Sequence, residues 1–392
     1  MNIGIDATCW WNNRGFGRFT REVLTAMFEL ESNHIFYLIV DQPLTELVHF
    51  ENVKVVQVQS SRPTTEAAVA DSSRSPINIF RLFRAVASCP LDIMFFPAVY
   101  SWYPVPAKLP TMITVMDAIA EHYPKLIFPS WRSRLFWAIK MKCAIWTSQR
   151  ILTISNAAKE EIVEYIGADP ELIDVTSAAP NPEFQKISDE ARNIAVREQY
   201  KLPLDSPIIV FVGGLAPHKN LHGLMDGFEK SVSEGCIGEV CLVIVGDFNG
   251  AGFYSNYDSL HERVQANPEL RKRVYFTGYV SDEDLIVLYN AAIAVAMPSY
   301  SEGFGLPAIE AMACASPVLS SDRGSLPEVV GDAGIYFDPF DAADISRAIN
   351  EMIGNDALRE QLSLNAVARA KGFTWQRAAQ LTLTHLEAMS QR

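Results

Sequence analysis

Short apolar runs recur along the chain. Each is followed by a polar or glycine-bearing break and then by a stretch with helical spacing. Residues 2–8, 34–41, 53–59, 92–96, 112–116, 150–154 and 173–178 read as one series of strands, and 208–212, 241–245, 273–276, 291–297 and 317–321 as a second. Helical periodicity occupies 19–30, 76–88, 156–166, 221–233, 342–352, 357–371 and 374–389. Strand alternating with helix implies parallel sheets covered by helices on both faces. Such sheets take ligands beyond the carboxyl ends of their strands. The segments 96–110 and 117–129 follow two such ends and are expected to line a cleft. Residues 60–75, rich in Ser, Thr and Arg, read as a surface loop, and 179–207, with four prolines and a charged helical piece, as a connection between domains.

Residues 123–150 break the pattern. They hold Lys125, Arg132, Arg134, Lys140, Lys142 and Arg150 and no acidic residue. On a helical wheel Leu135, Phe136, Ile139, Cys143 and Trp146 share one side, the expected buried face. Trp137, Met141 and Ile145 fall on the other, beside Arg134. The preferred reading is a helix buried on both sides whose basic residues snorkel. The alternative is a peripheral membrane contact, or a lipid-linked acceptor site, through 125–150.

Three glycine-bearing turns carry candidate chemistry. The first, 298–317, reads PSYSEGFGLPAIEAMACASP. A strand leads into a loop with Glu302, Gly303, Phe304, Gly305 and Leu306, Pro307 suits the first turn of a helix, and Glu310 lies about one turn inside it. Glycines let a ligand approach the backbone, helix-start amides attract anions, and carboxylates accept hydrogen bonds from sugar hydroxyls. In the second turn Gly213, Gly214, His218 and Lys219 precede a helix, so the two side chains are placed to neutralise a diphosphate. The third, 12–18, reads as a loop with Gly15 and Gly17 opening a helix. A dinucleotide fingerprint would need glycine at position 20, where Thr20 stands.

Composition narrows the picture. The 392 residues allow two domains, about half the residues are apolar, and the formal net charge is −13. That balance argues against a nucleic-acid partner. Six cysteines without CxxC spacing look like reduced thiols, neither a disulfide framework nor a zinc site. The start, MNIGIDATCWW, lacks the pattern of a signal peptide, and no run approaches the ~20 apolar residues of a membrane span. The expected location is the cytoplasm, with the inner membrane face as a peripheral alternative.

The stretch SEGFGLPAIEAMACASPVLSSDRGSLPEVVGDAG resembles the signature of the GT-B glycosyltransferases of family 4, the retaining group 1 enzymes. That signature carries Glu-x7-Glu where Glu302 and Glu310 stand. FVGGLAPHKNLHGLMDGF is similar to the family's second-domain phosphate loop, with Lys219 at its lysine. GFGRFTREV resembles the N-terminal glycine loop, and FTWQRA the last helix. The resemblance implies an α/β fold of two Rossmann-like, doubly wound domains, 1–185 and 205–372, facing a central cleft. Residues 373–392 would form a helix crossing back to the first domain.

It also implies sugar transfer from a nucleotide-diphosphate donor, GDP- or UDP-linked and leaning to mannosyl types, onto a saccharide or lipid-linked acceptor, without an essential metal or other cofactor. Glu302, Asp117 and Lys219 take the catalytic roles. Gly15, Gly17, Gly214, His218, Tyr279 and Val280, with residues 302–306 and Glu310, take donor binding. Asp282 and Asp284 read as an acidic first helical turn rather than metal ligands. Three positions depart from the family pattern. Gly214 stands where most members carry Arg, and His218 where another branch does. Met116 replaces a His that touches the donor sugar, with His122 nearby in sequence. A nucleotide-sugar-binding protein with little turnover, or an epimerase or hydrolase on the same scaffold, therefore stays as an alternative.

Overall fold

The structure, a computed structural model, describes residues 1–12, 14–44, 50–59, 75–247 and 256–390. The surface loop expected at 60–75 lies almost wholly outside the described residues. The chain divides into two compact units, one of residues 1–178 with 374–392, the other of residues 179–373.

Unit 1 holds a parallel sheet of β1 (Asn2–Asp6), β2 (Ile35–Val40), β3 (Val53–Gln57), β4 (Ile93–Phe96), β5 (Thr111–Thr114), β6 (Arg150–Thr153) and β7 (Ile173–Val175), in spatial order β3-β2-β1-β4-β5-β6-β7. Both faces of the central strands are buried, so β2 and β4 read as continuous apolar runs, while buried Thr111 and Thr114 flank Met112 and Ile113 in β5. The Trp375–Ser390 helix packs on the Gly15–Glu29 helix of the same unit. Trp375 meets Phe19 edge-on at 6.0 Å, and Thr176 Oγ1 donates to the carbonyl of Ala378 at 3.1 Å.

Unit 2 holds β8 (Ile208–Val212), β9 (Cys241–Val245), β10 (Val274–Gly278), β11 (Ala292–Met297), β12 (Val318–Ser321) and β13 (Gly334–Phe337), all parallel, in order β10-β9-β8-β11-β12-β13. Strand side chains alternate between two cores. Ile209, Phe211 and Ile244 pack with Phe228 and Ile349 on one face, while Ile208, Val210 and Val243 pack with Leu288 and Tyr289 on the other. Residues 179–207 join this second core through Phe184, Val196 and Leu202.

Two sequence expectations are corrected. The first helix begins at Gly15, inside the stretch read as a loop, so Gly15 and Gly17 occupy its first turn. The chain folds back tightly there. A Cβ on Gly17 would lie 2.0 Å from the Asn12 carbonyl oxygen, and Arg21 Nη1 donates to the carbonyls of Trp10 and Asn12 at 2.6 and 2.8 Å. The second correction concerns the Trp131–Thr147 helix, which is packed on one side only, and that side is the reverse of the expected one. Ser133, Met141 and Ala144 are buried, with Trp137 and Ile145 half-buried beside them. Leu135, Phe136, Ile139, Cys143 and Trp146 are exposed. Small residues at 133 and 144 let the helix approach the sheet closely, and bulk alone does not decide the buried face.

Candidate functional site

In unit 2 the strand order reverses between β8 and β11, the neighbours from which the chain runs outward in opposite directions. The loops beyond their carboxyl ends therefore diverge and open a crevice. The loop after β8 carries Gly213 and Gly214, then a 3-10 turn Pro217–Lys219. Asn220, at φ +53°, ends that turn and caps the Leu221–Ser233 helix by accepting from the Gly223 amide at 3.2 Å. Its Nδ2 donates to the Pro339 carbonyl at 2.7 Å. The loop after β11 carries residues 298–305, and the Tyr300 amide donates to the His218 carbonyl at 2.9 Å, tying the two loops together.

Across this junction Lys219 Nζ donates to both carboxylate oxygens of Glu302, at 2.6 and 2.8 Å. Ser299 Oγ donates to the same carboxylate at 2.6 Å. Glu302 is only 7% exposed. Burial pushes its carboxyl up, but the Lys219 charge and the bonds from Lys219 and Ser299 outweigh it, so the group stays below the usual glutamate range. The backbone of Glu302 is fixed as well. Ser325 donates to its carbonyl through both N and Oγ, at 3.2 and 2.9 Å. Gly324, at φ +58°, lies so close that a Cβ there would sit 2.8 Å from the Glu302 amide nitrogen. Ser299, Gly324 and Ser325 were not singled out from sequence. The only signal was Ser299 standing three positions before Glu302.

His218 does not provide the second cation that its position beside Lys219 suggested. Burial and the Lys219 charge push its pKa down to about 4, against a smaller opposing effect of Glu302, so it is neutral at pH 7. Its Nδ1 is buried and has no hydrogen-bond partner among the described residues. Gly214 is exposed, with open space where a Cβ would stand.

The remaining unit 2 candidates sit around the Leu306–Ala313 helix and β10. Gly305, at φ +91°, starts that helix, and a Cβ on it would meet Leu326 at 2.8 Å. Gly303 and Phe304 are buried, Phe304 meeting Phe373 edge-on at 5.6 Å, and Leu306 is half-buried. Glu310 is 2% exposed and accepts a long bond from Tyr289 at 3.5 Å. Cys314 is pushed up to about 12 by burial first and by Glu310 second, which places the Glu310 charge beside that thiol. Tyr279 is exposed, whereas Val280 is buried in the core with Leu285 and Leu288. Asp284 accepts from Tyr200 Oη at 2.9 Å and from Gln199 at 3.1 Å. Among the described residues, no group of three or more His, Cys, Asp or Glu side chains is arranged to hold a metal ion.

In unit 1 the loops following β1, β4 and β5 converge. Phe16 packs on Tyr100 with ring centroids 4.8 Å apart. Burial raises the Tyr100 phenol well above its ordinary value, with further upward pushes from Asp117 and Glu121 and an opposing one from Arg14. Asp117 Oδ1 accepts from the Ile119 amide at 3.2 Å. Glu121 accepts from Trp137 Nε1 at 2.7 Å, and burial raises its pKa. Met116 is buried. His122 is stacked between Tyr123 and Tyr165, at 4.0 and 4.1 Å, and its Nε2 lies 3.1 Å from Tyr165 Oη.

Residues 193–369 match the profile of the family described as glycosyl transferases group 1. That match spans 177 of the 392 residues, a little under half of the chain. Lys219, Glu302 and Glu310 lie inside it, and Gly15, Gly17 and Asp117 outside. The chain is 31% identical over 237 residues to O-antigen chain mannosyltransferase B of Escherichia coli, an alignment covering 60% of each protein. It is 34% identical over 231 residues to a D-inositol 3-phosphate glycosyltransferase of Nocardia farcinica, covering 58% of this chain and 50% of that one. The chain thus spans only about half to three-fifths of these two relatives. Among solved structures, sucrose-phosphate synthase from Thermosynechococcus elongatus superposes with a TM-score of 0.73 at 18% identity, covering all of both chains. Anabaena Alr3699/HepE in complex with UDP and glucose gives the same score and identity over 99% of this chain and all of that one. The fold is GT-B.

Proposed function

We propose that this chain transfers a hexose from a nucleotide-diphosphate sugar, GDP- or UDP-linked, to a saccharide or lipid-linked acceptor, with retention at the anomeric carbon. The observation that carries the reading is the Lys219–Glu302 pair at the β8/β11 switch point, an ammonium and an ionised carboxylate side by side beyond the strand ends. As the bond from the anomeric carbon to the diphosphate breaks, negative charge grows on the leaving phosphate and positive character on the sugar. Lys219 meets the first and Glu302 the second, both already oriented. The acceptor hydroxyl forms the new bond on the face the diphosphate leaves, and its proton passes to the departing phosphate. Glu310 binds the ribose, Gly214 lets the diphosphate approach the backbone, and neutral His218 acts as a hydrogen-bonding group. No metal is needed, because Lys219 and loop amides neutralise the diphosphate.

The mannosyltransferase name of one relative and the UDP and glucose held by a structural neighbour support a sugar nucleotide as donor and, more weakly, mannose as the sugar. The test is incubation with UDP- and GDP-sugars, with and without oligosaccharide acceptors, the product anomer being read by NMR. A retained glycoside formed only with acceptor is expected. Tight binding without turnover would instead favour a binding protein, and product without acceptor a hydrolase or epimerase.

A further inference from the structure

The Trp131–Thr147 helix keeps one side against the sheet of unit 1 and leaves the other bare. Met141 and Ala144 join the core beside Ile113 and Val115, and Lys140 Nζ donates to the Tyr100 carbonyl at 2.5 Å. On the opposite side Trp146 is 87% exposed, Trp131 and Phe136 71% each, and Ile139 52%. At about 100° per residue, Leu135, Ile139 and Trp146 fall within about 40° of one another. Arg132 and Lys142 fall on the same side. Large aromatic and aliphatic side chains are rarely left together in water without a partner.

Charge decides what covers them. Residues 123–150 hold six basic side chains and no acidic one, in a chain of net charge −13. Arg150 is paired with Asp174, but Lys125, Arg132, Arg134 and Lys142 are exposed. A second copy of the chain docking through the same face would set these cations against one another, since a two-fold interface is self-complementary. An anionic lipid surface meets both features: phosphates take the cations, and the interfacial region takes Trp and Phe rings. The 17-residue helix is about 25 Å long, and among the described residues no helix is long and apolar enough to cross a membrane.

We propose that the Trp131–Thr147 helix lies in the surface of an anionic phospholipid bilayer, with Trp131, Phe136, Ile139 and Trp146 inserted and Arg132 and Lys142 at lipid phosphates. This binding goes beyond glycosyl transfer and does not depend on it. It is read with no donor or acceptor present, so it stands if the transferase reading fails.

The test is sedimentation of the full chain with vesicles of phosphatidylcholine mixed with phosphatidylglycerol, against vesicles of phosphatidylcholine alone. Binding to the mixed vesicles, weakening as NaCl rises, is expected. Two double variants separate the apolar and ionic contributions, Phe136→Glu with Trp146→Glu and Arg132→Glu with Lys142→Glu. Each should weaken partition at least about tenfold, the first by replacing inserted rings with charges and the second by reversing two cations at the lipid phosphates. All four positions are exposed, so both variants should keep the parent's unfolding midpoint. Absence of binding by the parent, or undiminished binding by both variants, overturns the proposal. Light scattering that shows a parent dimer and a monomeric Phe136→Glu, Trp146→Glu variant overturns it too, assigning the face to self-association.

Discussion

Replacing Glu302 by Gln separates charge from shape at the centre of the site. Lys219 Nζ is held at 2.6 and 2.8 Å from the carboxylate oxygens. At an effective dielectric constant of ~20, unit charges at the shorter distance attract by about 6 kcal/mol. The cost of taking Glu302 out of water offsets much of that. Gln keeps one acceptor oxygen for Ser299 or Lys219. The Lys219 side chain is 21% exposed, so water reaches part of the ammonium that loses its partner. The expected loss of stability is therefore about 1–3 kcal/mol, below the ~3–5 of a broken, fully buried pair. In the absence of donor the carboxylate occupies Lys219, and a diphosphate has to compete for it. The variant should bind UDP or GDP as tightly as the parent or more tightly. Turnover should fall by about 10²–10³, the usual cost of one preorganised group facing transition-state charge. Titration calorimetry with the nucleotide and initial rates with the best donor measure the two quantities separately. An unchanged kcat, or a parallel fall of kcat and nucleotide affinity, would refute the reasoning.

Other expectations follow from the same geometry. His218 has a folded pKa of about 4 against an ordinary 6.5, so between those values the unfolded chain binds more protons and stability falls as pH falls. Relative to His218→Asn, the parent should lose about 2 kcal/mol between pH 7 and pH 5. Unfolding midpoints over that window check it, and equal slopes for the two proteins would contradict it. Glu302, whose pKa is also lowered, acts in the same direction but lower on the pH scale: its stability is present above the ordinary glutamate value and lost only in stronger acid, outside the window. Gly214→Ala meets open space, so its unfolding midpoint should match the parent's while nucleotide affinity drops. Undiminished affinity would move the diphosphate away from that loop. Activity should survive EDTA. Loss that Mg²⁺ or Mn²⁺ restores would require a metal at the diphosphate.

The sheet architecture was legible because buried parallel strands announce themselves as apolar runs, such as IIVFV and CLVIV. The Lys219–Glu302 contact, 83 positions apart in sequence, was legible only as two separate turns. What joins them is the adjacency of β8 and β11, a property of strand order rather than of either motif. The full neutrality of His218 was not legible because the sequence shows its neighbour Lys219 but not the burial that discharges it. The Trp131–Thr147 helix is apolar on both sides, so periodicity could not say which side faces the sheet. The glycines at 15 and 17 read as loop formers. Gly17 instead permits the close approach of the helix start to Asn12.

The Trp375–Ser390 helix has a consequence for the order in which the protein is made. Unit 1 begins with residue 1, but this helix, which covers Phe19 and bonds to Thr176, leaves the ribosome only after all of unit 2. Roughly two hundred residues intervene, and at ~5–20 residues per second that is about 10–40 s of synthesis. During that interval the seven-stranded sheet has every strand it needs but not its last cover, and unit 2 is complete before that cover emerges. The domain that starts first therefore finishes last, and its uncovered helix is the surface a chaperone would meet during translation.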